Sequence, residues 1–174
     1  MKTQFSSLES THLPVMLNEV IKISSPSDGG VFIDCTFGGG GYSKALLKFP
    51  NTRLVGLDRD SSVALIAKKI EKKFSNRFKF FNIKFSNLDT TREDNVDVII
   101  FDLGLSSIQL NNLSRGFSFK SKKKLDMTMG LSKISAQETI NNLSEIQLKL
   151  IIKILQEENE ASIIARNIVK ARSK

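Results

Sequence analysis

Residues 31–42 read Val31-Phe32-Ile33-Asp34-Cys35-Thr36-Phe37-Gly38-Gly39-Gly40-Gly41-Tyr42. An apolar run stops at four glycines, and a helical pattern begins directly after them. This order predicts a strand, a tight loop and a helix. Glycine leaves no Cβ to block a close ligand, and a helix N-terminus offers unpaired N–H groups and a positive dipole end. The stretch therefore predicts a loop that holds a nucleotide-like ligand, while the glycines alone do not say which one.

Three further apolar runs predict strands that follow the first one, at Val31–Cys35. The second strand is predicted at Arg53–Leu57, the third at Phe78–Ile83 and the fourth at Val96–Phe101. Helical patterns separate the first three strands, and this alternation is typical of an α/β protein. The first strand is almost wholly apolar, as in a parallel sheet that is covered on both faces. Ligands of such sheets bind at the carboxyl ends of the strands.

Helices are predicted at Leu13–Ile21, Tyr42–Phe49 and Val63–Phe74 because apolar side chains recur there at helical spacing. No clear period runs from Gly104 to about Leu131, and from Ser135 onward the pattern is helical again. This change predicts two parts. They are an α/β core over residues 1–110, extending to about 130, and a helical part over residues 131–174.

The composition of the 174 residues limits the class of protein. An apolar fraction of 40% is typical of a globular domain, and no apolar run approaches the length of a membrane span. The first ten residues lack the apolar core of a signal peptide. One cysteine fits a reducing compartment, and one cysteine with one histidine argues against a zinc site. We therefore expect a cytoplasmic protein without a metal. The net charge of +8 suits RNA, although lysine-rich composition alone leaves this open.

Polar and aromatic residues at the predicted strand ends are candidates for binding. Asp58 lies twenty residues after Gly38, where a carboxylate accepts hydrogen bonds from ribose hydroxyls. The alternative role of Asp58 is a helix cap, which Asp60 or Ser61 could supply instead. Phe85 follows the third strand, where its ring lies against an adenine or belongs to the core.

The fourth strand leads into Asp102-Leu103-Gly104-Leu105-Ser106-Ser107-Ile108-Gln109. A carboxylate, hydroxyls and an amide at one strand end favour a functional loop over a plain turn. The glycine loop lacks the Lys-Ser/Thr of a P-loop and the spacing of G-x-G-x-x-G. A carboxylate before the glycines, here Asp34, is instead the pattern of S-adenosylmethionine sites. Asp34 either faces the methionine part of that cofactor or accepts hydrogen bonds from the loop N–H groups.

Together these motifs resemble the ribosomal RNA small-subunit methyltransferase H family, also called the MraW family. The resemblance is carried by His12–Val20, Asp34–Ser43, Gly56–Asp60, Phe101–Leu110, Arg115–Phe119 and Leu125–Met127. It implies a Rossmann-like class I S-adenosylmethionine-dependent methyltransferase sheet, incomplete here with about four parallel strands. It also implies a partial helical insert over residues 131–174 that recognises RNA, and N4-methylation of a decoding-centre cytidine in 16S ribosomal RNA.

The resemblance further implies the residues that contact the cofactor, S-adenosyl-L-methionine, which are Gly40, Gly41, Tyr42, Asp58, Phe85, Asp102 and Gln109. The candidates that accept the proton of the cytosine amine are Asp102, which we favour, the carbonyls of Leu103 and Gly104, and Ser106 or Ser107. Phosphate contacts are predicted at Arg115, Lys122, Lys123 and Lys124, and the alternative there is a solvated charged loop. The expected partner is 16S ribosomal RNA or the small ribosomal subunit, and a homodimer is left open.

The sequence departs from the family pattern in several places. Tyr42 stands where the family usually has His, Thr128 where it has Arg, and Lys123-Lys124 where it has Gly-Pro. The family also continues past Lys174, so we expect a fragment, a shortened gene product or one part of a split protein. The fourth strand is then expected to be an uncovered apolar edge. A truncated, non-catalytic remnant that binds cofactor or RNA is the alternative function, and a nucleotide-dependent oxidoreductase is a third hypothesis.

Overall fold

A computed structural model describes residues 14–156 and 159–172 of the chain. Its strands are β1 (Gly30–Asp34), β2 (Thr52–Leu57), β3 (Phe78–Phe81) and β4 (Val98–Ile100). Its α-helices are α1 (Leu17–Ser24), α2 (Gly41–Leu46), α3 (Ala64–Lys73), α4 (Ser107–Asn111), α5 (Ala136–Asn142), α6 (Glu145–Gln156) and α7 (Ala161–Arg172). Among the described residues, none of the helices is both long enough and apolar enough to span a membrane.

The four strands form one parallel sheet in the order β3-β2-β1-β4. In this register Ile33 of β1 lies beside Val55 of β2 and Ile99 of β4. The expected Rossmann-like α/β sheet with about four parallel strands is therefore confirmed. Because all four strands run in one direction, their carboxyl ends share one edge, and the strand order reverses between β1 and β4 at that edge.

The sheet is buried on both faces around β1. On one face, Phe32 packs in a cluster with Leu46 of α2 and Ile70 of α3. On the other face, Ile33 packs with Leu57, and the 3₁₀ segment Phe85–Thr91 covers this cluster through Leu88. Neighbouring residues of one strand thus enter two different cores, which explains why the β1 sequence is nearly all apolar.

Helix α1 begins later than predicted. The predicted start at Leu13 lies outside the described residues, and the first helical residue is Leu17. Met16 precedes it in the left-handed region, with φ 56°. A residue there cannot continue a right-handed helix toward the N-terminus, so the chain turns before Leu17.

Helix α2 ends at Leu46 and not at Phe49 as predicted. The hydroxyl of Thr52 donates to the carbonyl of Leu46, at 2.9 Å. The guanidinium of Arg77 donates to the carbonyls of Leu47 and Phe49, at 3.0 and 2.7 Å. These donors satisfy the carbonyls at the helix end and allow the chain to turn into β2.

Strand β4 is shorter than the predicted Val96–Phe101 and forms the edge of the sheet beside β1. After it, the N–H of Asp102 donates to the hydroxyl of Thr36 at 2.8 Å and so leaves the strand ladder. Ile99 and Phe101 remain 45% and 50% exposed. Within the described residues the expected uncovered apolar edge is therefore confirmed.

The described residues divide into two compact units. The first extends to Leu110 and includes Met129–Leu131, and the second comprises Asn111–Thr128 and the residues from Ser132 onward. In the second unit α6 packs on α7, where the small side chains of Ala161 and Ala165 are buried. The assignment of this helical part to RNA recognition stays a prediction.

Candidate functional site

Three hydrogen bonds tie the glycine loop to the ends of the neighbouring strands. The N–H of Phe37 donates to the carbonyl of Leu57 at 2.9 Å, at the end of β2. The N–H of Gly38 donates to the Asp58 carboxylate at 2.8 Å. On the other side, the Asp102 N–H bond to Thr36 joins the loop to the chain that leaves β4. The carboxyl ends of β1, β2 and β4 are therefore joined in one polar edge, which we call the strand-end site.

Neither Gly40 nor Gly41 has room for a side chain, because other residues pack closely against both positions. Gly40 has φ +70°, and a Cβ there would lie 2.8 Å from Ile70 and 2.9 Å from Phe37. A Cβ on Gly41 would overlap the ring of Pro14. Both missing side chains point at packed protein atoms, so any contact of these glycines with a cofactor has to be made by their backbone. The predicted cofactor role of Gly40 and Gly41 stays a prediction.

The missing side chains of Gly38 and Gly39 point elsewhere. A Cβ on Gly38 would lie 3.8 Å from the Cβ of Ser106, and one on Gly39 would lie 4.0 Å from Ile108. These two glycines therefore face the loop that follows Asp102, which was not foreseen in the sequence. Four consecutive glycines carry no signal that distinguishes the pair facing the core from the pair facing this loop.

Asp58 lies at the centre of the strand-end site. One carboxylate oxygen accepts the N–H of Gly38 and the other accepts the N–H of Asp60, each at 2.8 Å. Burial raises the pKa of Asp58, and these two backbone hydrogen bonds act in the opposite direction. A carboxylate oxygen has two lone pairs, so each oxygen can accept one further hydrogen bond. The structure therefore leaves Asp58 able to accept the two hydroxyls of a ribose.

The side chain of Gln109 connects two loops of the strand-end site. It is buried, its oxygen accepts the N–H of Ser106 at 2.9 Å, and its amide nitrogen donates to Asp60 at 2.9 Å. Asp60 also accepts the N–H of Ser62 and so caps the following helical turn, as expected. The bridging role of Asp60 was missed, because its spacing from Gln109 in sequence gives no sign of contact. The predicted cofactor contact of Gln109 remains untested.

The candidate proton acceptors differ in the hydrogen bonds that their side chains already make. The hydroxyl oxygen of Ser106 accepts the N–H of Gln109 at 3.3 Å, and Ser107 is the first residue of α4. The side chain of Asp102 lies in an exposed stretch, while its backbone N–H is fixed by Thr36. A fixed backbone with an accessible carboxylate is the arrangement that a proton acceptor needs.

Tyr42 places its ring in the main apolar core and its hydroxyl near the strand-end site. The hydroxyl donates to the carbonyl of Val15. Burial raises the pKa of Tyr42, and the negative charge of Asp102 raises it further. Tyr42 is therefore neutral at physiological pH and lies close to Asp102, and its direct contact with a cofactor remains a prediction.

Phe85 is not a core residue. Its ring is 45% exposed and meets the ring of Phe101 edge to face, with centroids 5.5 Å apart and planes at 86°. Phe85 follows β3 and Phe101 follows β4, so the two rings form an apolar corner at the carboxyl edge of the sheet. Such a corner can cover one face of a flat base.

Asp34 is completely buried beneath the glycine loop. Its carboxylate accepts the hydroxyl of Ser43 at 2.8 Å and the N–H of Thr36 at 3.3 Å. Desolvation by burial is the largest effect and raises the pKa of Asp34 to about 6. Of the two roles weighed for Asp34, the structure shows the buried carboxylate that holds the loop.

The raised pKa of Asp34 predicts a pH dependence of stability. The folded chain binds this proton more tightly than the unfolded chain, so the free energy of unfolding falls as pH rises from about 4 to about 6. Over that window the loss is about 2 kcal/mol, and it approaches about 3 kcal/mol when the pH range extends beyond both pKa values. Asn cannot ionise but keeps an acceptor for the Thr36 N–H, so Asp34→Asn should flatten the dependence. Urea unfolding at the two ends of the window measures it. Equal slopes in the wild type and the variant would show that Asp34 does not titrate there.

The predicted phosphate contacts lie in the second unit. Arg115 donates to the carbonyl of Thr128, and its guanidinium lies over the ring of Phe117 at 5.2 Å. This arginine braces its own loop through a backbone carbonyl, so the bond does not depend on which side chain stands at Thr128. Lys122–Lys124 are exposed.

The comparisons with known proteins agree on one family. The model of the MraW methylase family matches residues 9–174. Ribosomal RNA small subunit methyltransferase H of Orientia tsutsugamushi strain Boryong is 42% identical over 169 residues, which are 96% of this chain and 54% of that protein. The proteins of the same name from Wolbachia sp. subsp. Drosophila simulans strain wRi and Rickettsia canadensis strain McKiel are 41% and 42% identical. They match 94% and 95% of this chain, and 58% and 54% of their own lengths.

This chain thus spans about half the length of the curated relatives it matches. Among solved structures, the crystal structure of MccD protein aligns with 91% of this chain and 89% of its own, at 11% identity and a TM-score of 0.36. A TM-score this low does not establish a common fold. The family match alone covers nearly all of the sequence, and the chain belongs to the MraW methylase family.

Proposed function

We propose that the strand-end site binds S-adenosyl-L-methionine and that the chain takes part in methylation of small-subunit ribosomal RNA, at N4 of a cytidine. The observation that carries this proposal is the hydrogen-bonded junction of three strand ends around Asp58. The names of the relatives supply the methyl transfer and the ribosomal RNA. The cytidine specificity comes from the family resemblance of the motifs.

The residues present fit this cofactor in charge and shape. Four carboxylates, Asp34, Asp58, Asp60 and Asp102, lie in or beneath the strand-end site. Such a negative edge suits a ligand that carries a sulfonium and an ammonium group. Asp58 offers lone pairs to ribose hydroxyls, and the half-exposed ring of Phe85 offers an apolar face to adenine.

When bound, S-adenosyl-L-methionine supplies a methyl group on a positively charged sulfur. The chain contributes mainly position, because bringing two groups together in the right orientation removes much of the entropic barrier. The loop after β4 is suited to this, since Gln109 holds it to Asp60 and Thr36 holds its first residue. A target base has to be unstacked to present its amine, which favours a single-stranded or splayed substrate.

Asp102 is the residue that we propose accepts the proton of the amine. Its side chain is accessible, and its backbone is fixed at the switch point between β1 and β4. Ser106 is the weaker candidate because its hydroxyl already accepts the N–H of Gln109.

The assay for this role is transfer of tritiated methyl from S-adenosyl-L-methionine to small ribosomal subunits. We expect Asp102→Ala to lower transfer about 100-fold or more, as typical for a general base, while fluorescence anisotropy shows RNA binding nearly intact. Asp94→Ala is the matched control, because Asp94 is exposed in a loop before β4 and has no role in the site. Normal transfer by Asp102→Ala would show that this carboxylate does not receive the proton.

A second candidate function is binding of cofactor or RNA without catalysis. The uncovered edge at β4, with Ile99 and Phe101 about half exposed, favours it, because a buried neighbour normally covers such a strand. The same assay separates the two functions when it is run with the chain alone and with a polypeptide that corresponds to the remaining half of a relative. Transfer only in the second mixture would show that the strand-end site is competent but needs its complement.

A further inference from the structure

The second unit contains a loop whose path is fixed by a close backbone crossing. Gly116 has φ +76°, and a Cβ on it would lie 2.9 Å from both the carbonyl of Lys124 and the N–H of Asp126. Beside this crossing the N–H of Met127 donates to the carbonyl of Arg115 at 2.8 Å. The loop between residues 116 and 124 is therefore held at both ends.

Serine side chains order the tip of this loop. The N–H of Ser121 donates to the carbonyl of Ser118 at 2.9 Å, and the N–H of Lys120 donates to the Ser118 hydroxyl at 3.2 Å. The hydroxyl of Ser121 donates to the carbonyl of Leu113 at 2.5 Å. Phe119 lies in this turn, and its side chain is fully exposed. An aromatic ring that a fixed turn presents entirely to solvent contributes nothing to the core.

Four lysines follow this ring within five positions of the sequence. Lys120 and Lys122–Lys124 are all exposed. Within residues 14–156 and 159–172 no ion pair joins any of them to a carboxylate. Four neighbouring positive charges without acidic partners repel one another, and a polyanion relieves that repulsion.

A polar cavity of about 760 Å³ adjoins the lysines. Its lining includes Lys123 and Lys124, the carboxylate residues Asp126 and Glu138, and the amide residues Gln137, Asn141 and Asn142. In the described part of the chain these three amides make no side-chain hydrogen bond. Amides offer both donors and acceptors, which is what the hydrogen-bonding edge of a nucleobase requires. The volume falls in the range of small-ligand pockets.

We propose that the second unit binds single-stranded RNA, with one base stacked on Phe119, the flanking phosphates on Lys122–Lys124 and an adjoining base in the amide-lined cavity. This inference rests on the proposed function for the identity of its ligand as RNA. It adds the surface that holds the strand and the residue on which a base stacks. A positively charged run with an exposed aromatic ring is the usual arrangement for single-stranded nucleic acid.

The polarity around the ring favours RNA over a membrane surface. A segment that binds a membrane interface needs a broad apolar face. Phe119 is instead a single ring between Ser118 and Lys120, and the lining of the adjoining cavity is polar, with amides, lysines and two carboxylates. Binding to anionic vesicles is therefore an outcome that the test has to separate.

The first test measures fluorescence anisotropy of the full chain with a labelled single-stranded RNA of about 12 nucleotides and with the same sequence in a duplex. Loss of one stacked base predicts that Phe119→Ala weakens single-strand binding about tenfold, and that duplex binding changes little. Phe119→Trp should retain binding. Ile146→Ala is the control, because Ile146 is a largely exposed apolar residue of the same unit. Unchanged single-strand binding by Phe119→Ala would overturn the proposal.

The second test compares two triple variants that remove the same charge. Replacing Lys122, Lys123 and Lys124 with Ala should lower the slope of log affinity against log salt by about 2, since each phosphate contact on a single strand contributes about 0.7. Replacing Lys133, Lys149 and Lys153 with Ala should leave the slope nearly unchanged. Equal effects of the two triples would mean that only net charge matters, and would overturn the assigned surface. Thermal unfolding checks that every variant is folded.

Two further measurements make the outcomes distinct. Calorimetric titration with S-adenosyl-L-methionine tests the proposed function alone, so loss of cofactor binding with intact discrimination of single strands would remove that function and leave this surface in place. Phosphatidylglycerol vesicles replace RNA in a parallel titration. Binding of vesicles that depends on Phe119, without any dependence of RNA binding on it, would assign the surface to a membrane and contradict the proposal.

Discussion

Replacing Asp58 with Ala should weaken the binding of S-adenosyl-L-methionine about 100-fold or more. The carboxylate has one acceptor site left on each oxygen after it has bound the N–H groups of Gly38 and Asp60. Two charge-assisted hydrogen bonds to ribose hydroxyls, each worth about 1.5–3 kcal/mol, account for a loss of that size. Isothermal titration calorimetry on the purified chain measures it.

Loss of Asp58 also leaves the N–H groups of Gly38 and Asp60 without their partner, so the control has to reproduce that cost. Asp97 provides it, since its carboxylate accepts the N–H of Val31 at 2.8 Å, at the amino end of β1. Asp97→Ala should lose stability but keep cofactor affinity. If both variants bind as the wild type does, the ribose assignment of Asp58 is wrong.

Replacing Gly40 with Ala should destabilise the first unit by about 3 kcal/mol. The backbone at Gly40 has φ +70°, which costs a residue with a Cβ about 1–2 kcal/mol. The added carbon would also lie within 3 Å of Ile70 and Phe37, and overpacking of this kind costs about 1–3 kcal/mol. The expected fall in the thermal midpoint is about 10 °C, measured by circular dichroism.

Gly39→Ala is the matched control for that substitution. Gly39 adjoins Gly40 in the same loop, but its nearest neighbour in that direction is Ile108 at 4.0 Å, and its φ is not in the left-handed region. We expect its thermal midpoint to stay within about 2 °C of the wild type. A similar loss in both variants would mean that the whole loop, and not the cradle around Gly40, demands glycine.

Local sequence patterns were sufficient to predict the sheet. The apolar runs at β1 and β2 are long and are followed by glycine or acidic residues. The apolar pattern and the residues that end it therefore indicate the same strands. Strand β4 was predicted too long, because an edge strand can keep apolar residues such as Val96 and Phe101 outside the ladder. Those residues are used on other surfaces, and propensity cannot report which neighbour they contact.

The sequence suggested which residues form the strand-end site, but not the hydrogen bonds that join them. The position of Asp58 follows from its distance to the glycines, whereas its bond to Gly38 depends on how the two strand ends meet. The link from Gln109 to Asp60 joins residues 49 positions apart. No local period encodes such a contact, and a single sequence holds no record of paired changes that would reveal it.

The conformation of the glycine run shows a further limit of the sequence. The four glycines suggest one ligand loop, yet two of them are required by packing against Pro14, Phe37 and Ile70. The sequence indicated that the backbone can adopt unusual conformations there, but not which surroundings each glycine faces. Those surroundings depend on the side chains that the fold brings near, which come from α3 and from the segment before α1.

The claim on which the rest depends is that one ligand contacts the carboxyl ends of β1, β2 and β4 together. The most direct measurement is backbone amide NMR of the isotope-labelled chain during titration with S-adenosylhomocysteine. We predict saturable shifts at Gly38, Asp58 and Asp102, with the amide of Val31 at the opposite edge unmoved. Shifts that cluster at the amino edge of the sheet, or no shifts at millimolar ligand, would contradict the strand-end site.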